Sequence, residues 1–119
     1  MRSALLILFI CFSAIKVSAQ NANTKVGKFN NNKPLLIAQA ACGQCKLGLK
    51  GKSCDLAVRI KGKSYFVDGV HIDSLGDAHA KDGFCNSIRE AQVQGEIKDD
   101  RFIASYFYLL PSSAKKKLK

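Results

Sequence analysis

Four cysteines constrain the fold of this 119-residue chain more than any other feature. Cys42, Cys45 and Cys54 lie within a stretch of thirteen residues, and Cys85 follows about thirty positions later. Thiols grouped in this way form disulfides, bind a soft metal ion or exchange electrons, and each chemistry requires the sulfur atoms to be close in space. We therefore expect the fold to bring the region around residues 42–54 against the region around residue 85.

The fifth cysteine, Cys11, belongs to a segment of a different kind. Residues 1–19 begin with a basic residue, continue with a short apolar run and end on Val17-Ser18-Ala19, a pattern typical of a secretory signal peptide. The apolar run is too short to span a bilayer, so no transmembrane segment is expected after cleavage. Its removal leaves an even number of cysteines, and we predict a periplasmic or secreted protein in which disulfides persist.

The formal net charge of +10 comes mostly from the two ends of the chain. Between residues 38 and 111, ten Lys and Arg residues stand against nine Asp and Glu residues, a net of +1. The basic C-terminal tail, residues 112–119, fits contact with an anionic surface or simple solubility. The near-neutral region lacks the basic groove that nucleic-acid binding needs, which argues against nucleic acid as a partner.

The remaining chain divides into a polar, flexible lead-in over residues 20–37 and a single cysteine-containing β domain over residues 38–111. Within this domain, residues 56–60 alternate between apolar and polar side chains, as a half-buried strand does. Lys61-Gly62 predicts a two-residue hairpin that leads into a returning strand.

The element order predicts a mainly β fold. Strands are expected near residues 35–41, 56–60, 64–67, 93–97 and 102–110, and the apolar spacing of Phe84, Ile88 and Ala91 predicts a short helix that carries Cys85. Five strands with one short helix between strands 3 and 4 predict a small OB-like barrel, or an open sheet with the same element order.

A disulfide framework is the first chemistry that fits the cysteines. Sequence alone allows three pairings of four cysteines. The most economical arrangement joins Cys42 or Cys45 to Cys85 on the helix and links the other of the two to Cys54. Such cross-links stabilise a small exported domain by restricting its unfolded chain.

A soft-metal site is the second chemistry that fits the cysteines. Cys42 and Cys45 present two thiolates in one turn, the spacing with which both reach one tetrahedral ion. Cys54, Cys85 and His79 are the further candidate ligands, and zinc or copper(I) suits thiolate and imidazole.

Thiol–disulfide exchange is the third chemistry that fits the cysteines. Cys42 and Cys45 would be the catalytic dithiol of a Cys-x-x-Cys motif. The residues that follow the motif include Gly48 and Gly51 and are poor helix formers, and no βαβ pattern surrounds it. These features favour a non-catalytic domain over an enzyme.

Several segments together resemble a family of small exported bacterial proteins that has no assigned activity and occurs mostly in Bacteroidota-like genomes. The segments are Ala41–Cys45, Gly51–Ile60, Tyr65–Gly69, Gly76–Ala80 and Asp82–Asn86. The resemblance implies a bacterial envelope protein, and it transfers no catalytic residue.

The sequence therefore predicts a small exported binding or structural domain of unidentified ligand. Its four-cysteine cluster is either stapled by disulfides or binds zinc or copper. The alternative function is a thiol–disulfide oxidoreductase that acts through Cys42 and Cys45.

Overall fold

The computed structural model describes residues 24–112, so the predicted signal peptide and nearly all of the basic tail lie outside it. The elements are β1 Lys25–Gly27, β2 Leu36–Cys42, α1 Gly43–Lys46, β3 Leu56–Ile60, β4 Lys63–Asp68, β5 Arg89–Lys98 and β6 Arg101–Leu109. Across the described range, no helix has the length and apolar character needed to cross a membrane.

Five of the strands close into a barrel. β2 pairs antiparallel with both β3 and β5, β3 pairs with β4, and β5 pairs with β6. A parallel pairing of β4 with β6 completes the circle, and β1 adds to the outer edge of β6. The predicted mainly β, five-stranded OB-like barrel is therefore confirmed.

The barrel interior is filled by alternating apolar side chains from all five strands. Leu56 and Val58 of β3 point inward, and Phe102 and Phe107 of β6 are almost completely buried. Burying one such side chain contributes about 1.5–3 kcal/mol, so this interior supplies most of the stabilisation of the fold.

Two tight turns fix the register of the hairpins. Lys61 and Gly62 both have positive φ, at 49° and 84°, which is the backbone form of a two-residue hairpin turn that follows the strand twist. Asp99 and Asp100 in the β5–β6 turn also have positive φ, at 51° and 62°. The hairpin predicted at Lys61-Gly62 is thus present.

The helix lies elsewhere than the sequence predicts. The one helix in the described range follows β2, whereas residues 69–88, which connect β4 to β5, form successive turns. Gly83 packs directly against the carbonyl groups of Asp77 and Ala78, with no room for a Cβ atom. The end of the predicted helix, from Arg89 onward, pairs with β2 instead, so strand pairing overrides the local helical spacing.

Part of the predicted lead-in is attached to the barrel. β1 pairs with β6, and the side chain of Gln94 fixes the turn that follows β1. Gln94 is fully buried; its Oε1 accepts from the amide of Asn30 at 2.8 Å, and its Nε2 donates to the carbonyl groups of Asn30 and Lys33 at 2.8 and 3.0 Å. Residues 25–33 of the predicted lead-in therefore contact the barrel, and the domain boundary at residue 38 stays a prediction.

Candidate functional site

Three of the four candidate cysteines form one cluster. The Sγ atoms of Cys42, Cys54 and Cys85 all lie within 4.8 Å of one another. Cys42 is the last residue of β2, Cys54 precedes β3, and Cys85 lies in the turn-rich connection between β4 and β5. The cluster therefore joins three separate chain segments at one side of the barrel, and we call it the three-thiol cluster.

Backbone hydrogen bonds bring these segments together. The amide of Cys42 donates to the carbonyl of Phe84 at 2.9 Å, and the amide of Gly43 donates to the carbonyl of Asp55 at 2.8 Å. Phe84 directly precedes Cys85, and Asp55 directly follows Cys54. The end of β2 thus acts as a backbone anchor for both other thiol-bearing segments.

Cys54 lies between the other two sulfur atoms. The structure pairs it with Cys42 as a disulfide, with a Cα–Cα distance of 5.7 Å, inside the range that disulfides require. The Sγ of Cys85 is 3.0 Å from the Sγ of Cys54. One of the two predicted pairings contained the Cys42–Cys54 link, whereas Cys45 and Cys85 are free thiols in the described chain.

Gln44 holds the loop between α1 and β3 in place. Its Nε2 donates to Asp55 Oδ2 at 2.8 Å, and its Oε1 accepts from the Asp55 amide at 3.0 Å. The hydroxyl of Ser53 donates to the same carboxylate at 3.1 Å. These contacts fix the residues on both sides of Cys54, a positioning role that the sequence analysis missed although Gln44 stands inside the Cys-x-x-Cys motif.

The other inner residue of the motif, Gly43, is required by close packing. A Cβ at this position would lie 2.7 Å from the ring of Phe66 and 3.1 Å from the Cβ of Ala57. A larger residue would therefore push α1 away from the barrel and move Cys42 with it.

Cys45 and His79, the other predicted ligands, lie outside the three-thiol cluster. The amide of Cys45 donates to the Sγ of Cys42 at 3.4 Å, while its side chain is exposed. His79 has a side chain that is 82% exposed, and its Nδ1 lies 4.0 Å from Asp77 Oδ1. Ligation by either residue remains a prediction.

The Cys85 thiol, on one side of the cluster, faces negatively charged groups. Burial raises the pKa of the Cys85 thiol, and the negative charges of Cys45, Asp73 and Asp77 raise it further. Negative charges attract a bound cation, and they repel the negative charge of a thiolate that has no metal ion beside it. A metal ion bound here would have to displace the thiol protons, so its affinity would depend on pH.

The outer face of β3 and β4 is covered. Leu47 and Leu49, in the loop after α1, pack over Ala41, Ala57 and Phe66. OB barrels commonly bind ligands on the face of their second and third strands and on the loop between their first and second. Here the loop at that position covers the face, whereas Cys42, Cys54 and Cys85 pack against the barrel interior.

A separate cleft of about 420 Å³ lies between the β4–β5 connection and the two ends of the described chain. Leu75, Phe84 and Leu109 contribute apolar lining, and Arg89 contributes a guanidinium group. This guanidinium donates to the carbonyl groups of Asp82 and Leu110 at 2.8 and 2.9 Å. Arg89 thus holds the end of β6 against the connection.

Fold and site together define a small OB-like barrel with a cysteine centre, in which a disulfide pair overlaps a candidate three-thiolate metal site. Residues 36–110 match the model of a family described as a family of unknown function, DUF6370, and the chain belongs to that family. The predicted membership in an uncharacterised family is thereby confirmed, and its bacterial origin stays a prediction. No curated protein and no solved structure matches the chain.

Proposed function

We propose that this protein is a small exported, non-catalytic domain that binds one soft metal ion through Cys42, Cys54 and Cys85. The observation that supports this function is the proximity of the three Sγ atoms, all within 4.8 Å of one another. Metal–thiolate bonds of about 2.3 Å place sulfur ligands of a single ion roughly 3.5–4 Å apart. Small side-chain movements would therefore convert the three-thiol cluster into a coordination site.

Copper(I) fits the cluster best. Thiolates are soft ligands that select copper(I) or zinc over hard cations. Structural zinc sites almost always contain four ligands, and here a fourth ligand would have to come from Cys45 or His79. Copper(I) accepts three thiolates, so it needs nothing beyond Cys42, Cys54 and Cys85.

The disulfide and a bound metal ion use the same sulfur atoms and therefore exclude each other. Thiolates bind metal only when they are reduced, so the Cys42–Cys54 disulfide excludes the complete three-thiolate site. Export, inferred from the signal-peptide pattern of residues 1–19, would expose the protein to oxidants that favour the disulfide. The oxidised protein is then a stapled barrel, and the reduced protein is a metal-binding one.

Thiol–disulfide exchange through Cys42 and Cys45 receives less support from the geometry. The group of Cys45 that contacts the Cys42 Sγ is its backbone amide, and its own side chain is exposed. The Cys42 sulfur is instead paired with Cys54. A catalytic dithiol would require both sulfurs of the motif to pair with each other.

Elemental analysis combined with a thiol count tests the proposed function. Mature protein, reduced under nitrogen and loaded with copper(I) or zinc, should retain one metal ion per chain after desalting. Cys85→Ser should lose that ion while keeping the Cys42–Cys54 disulfide when oxidised. The control change Ser74→Ala, in the connection between β4 and β5 that also carries Cys85, should retain the ion.

Mass spectrometry of the same samples shows whether the cysteines are reduced or form a disulfide. A reduced wild-type protein with all of its thiols free and no bound metal would refute metal binding, as would full metal occupancy in Cys85→Ser. Circular dichroism of each variant verifies that the barrel is folded.

A further inference from the structure

We propose that Cys45 is the thiol through which copper enters and leaves the three-thiol cluster, and that the copper donor is an anionic complex. This inference rests on the proposed function. It assigns a separate role to the one candidate cysteine that lies outside the cluster.

Accessibility is the first observation behind this role. Cys42 is completely buried, and Cys54 and Cys85 are partly buried. Cys45 is exposed and belongs to the same short helical turn that follows Cys42. A copper complex that approaches from solvent therefore meets the Cys45 thiol before it meets the buried end of β2.

The connection between Cys45 and the cluster is the second observation. The amide of Cys45 donates to the Sγ of Cys42 at 3.4 Å, so the two residues are held on adjacent parts of one turn. Exposed side chains change rotamer within picoseconds to nanoseconds. The proposed role requires that one such rotamer bring the Cys45 thiol to the cluster while the backbone of α1 stays fixed.

Charge around Cys45 identifies the kind of donor. Lys46, Lys50 and Lys52 are all exposed in the short stretch that contains α1 and the following loop. The amide of Leu49 donates to the carbonyl of Gly43 at 3.0 Å, which holds this loop against α1. These three cations lie within seven residues of Cys45 along the chain and attract an anionic complex over a screening length of about 8 Å at physiological ionic strength.

The transfer is a ligand exchange without electron transfer. The Cys45 thiolate forms a bond to copper(I) as one donor–copper bond breaks, and the released donor ligand leaves with its electron pair. Cys42, Cys54 and Cys85 then bind the ion as the remaining donor–copper bonds and the bond from Cys45 break; the protons of the three thiols pass to solvent, and the released Cys45 thiolate is free to take up a proton. Copper remains in the +1 state throughout.

Stopped-flow transfer from the anionic copper(I)–bicinchoninate complex to the reduced mature protein tests this role, because the donor loses its colour as it gives up copper. Cys45→Ser should still bind one copper ion per chain, but its transfer rate should fall at least about tenfold, since the captured ion no longer gains the high effective concentration of a tethered ligand. Ser74→Ala, in the connection between β4 and β5, is the control and should transfer at the wild-type rate.

The lysines are tested separately. Combined Lys46→Gln, Lys50→Gln and Lys52→Gln should slow transfer at low salt and remove most of its salt dependence. The control combines Lys28→Gln, Lys33→Gln and Lys98→Gln, which change the net charge equally at positions outside the loop. A wild-type copper transfer rate that does not change with salt concentration would overturn the proposal that the donor is anionic.

The outcomes for Cys45 separate this inference from the proposed function. Wild-type transfer rates in Cys45→Ser would overturn the entry role. Loss of copper from Cys45→Ser at equilibrium would make Cys45 a permanent fourth ligand and would also overturn it. In both cases the wild-type protein still binds one copper ion, whereas a wild-type protein without copper binding refutes the proposed function itself.

Discussion

The barrel and the side of the molecule that carries the cysteines are held together in different ways. The barrel is closed by strand pairing and by an interior that includes Phe102 and Phe107. The cysteine side, made of α1, residues 47–55 and residues 69–88, contains little regular structure. Backbone hydrogen bonds, such as the bond from the Cys42 amide to Phe84, and buried side chains that include Leu75 and Phe84 attach it to the barrel core. The barrel therefore supplies the regular frame and the connections supply the chemistry, a division common in proteins whose loops carry function.

The largest effect that this comparison predicts is in the barrel. Phe107→Ala should lower the free energy of unfolding by about 3–5 kcal/mol, because it removes a fully buried ring and leaves a cavity. Urea unfolding followed by circular dichroism measures the change. Ile103→Ala, on the exposed face of the same strand, should change stability by no more than about 0.5 kcal/mol. Equal effects of the two changes would contradict the assignment of stability to the barrel interior.

A smaller effect is expected on the cysteine side. The Cys42–Cys54 disulfide closes a loop with a sequence separation of 12, and closing a loop of this size stabilises a domain by about 3 kcal/mol at most. Reducing the metal-free protein should therefore lower its free energy of unfolding by up to that amount while the barrel remains folded.

The double variant Cys42→Ala and Cys54→Ala is the control for this experiment. Its urea unfolding curve should be the same with and without reductant. A double variant that responds to reductant as the wild-type protein does would show that another cysteine pair carries the effect.

The smallest effect concerns the outside of the barrel, where β4 meets β6. Arg101 donates to both carboxylate oxygens of Asp68, at 2.8 and 2.9 Å, and these hydrogen bonds lower the pKa of Asp68. A lowered pKa contributes stability above the ordinary value of 3.8, and that contribution disappears as the pH falls through the lower folded value. Both side chains are about half exposed, so Asp68→Asn should cost less than about 1 kcal/mol at pH 7.

Unfolding measured from pH 7 to pH 2 tests this assignment. The difference between wild type and Asp68→Asn should shrink toward zero at the acidic end, where the wild-type carboxylate is protonated. Asp99→Asn in the β5–β6 turn is the matched control. A difference that stays constant with pH would show that Asp68 acts by packing instead of by its charge.

The sequence predicted the strands that repeat an alternating pattern. Leu56 to Ile60 alternates cleanly, and Lys61-Gly62 has the composition of a tight turn, so this hairpin depends only on local chemistry. The helix predicted around Phe84 failed because its apolar spacing competed with pairing between β5 and β2, which no local pattern reveals. β1 was missed because three residues carry too little periodicity, and its support comes from β6 and from the turn that Gln94 fixes.

The candidate site was predicted at the level of residue types. Even cysteine number and close spacing indicated one cluster, and the structure brings Cys42, Cys54 and Cys85 together. The positioning roles of Gln44 and Gly43 were not predicted, because each depends on a contact with another segment. Gln44 meets Asp55, and Gly43 meets Phe66 across the outer face of the barrel.

By itself, the sequence determined the alternation that makes a small β barrel, the hairpin at Lys61-Gly62 and the presence of a thiol centre. Only the tertiary structure decided that Cys54 contacts both Cys42 and Cys85, and that the side chain of Cys45 faces solvent. The reason is physical: periodicity and turn composition act between neighbouring residues. The distance between two sulfur atoms, in contrast, depends on the pairing and backbone hydrogen bonds of segments far apart in the chain.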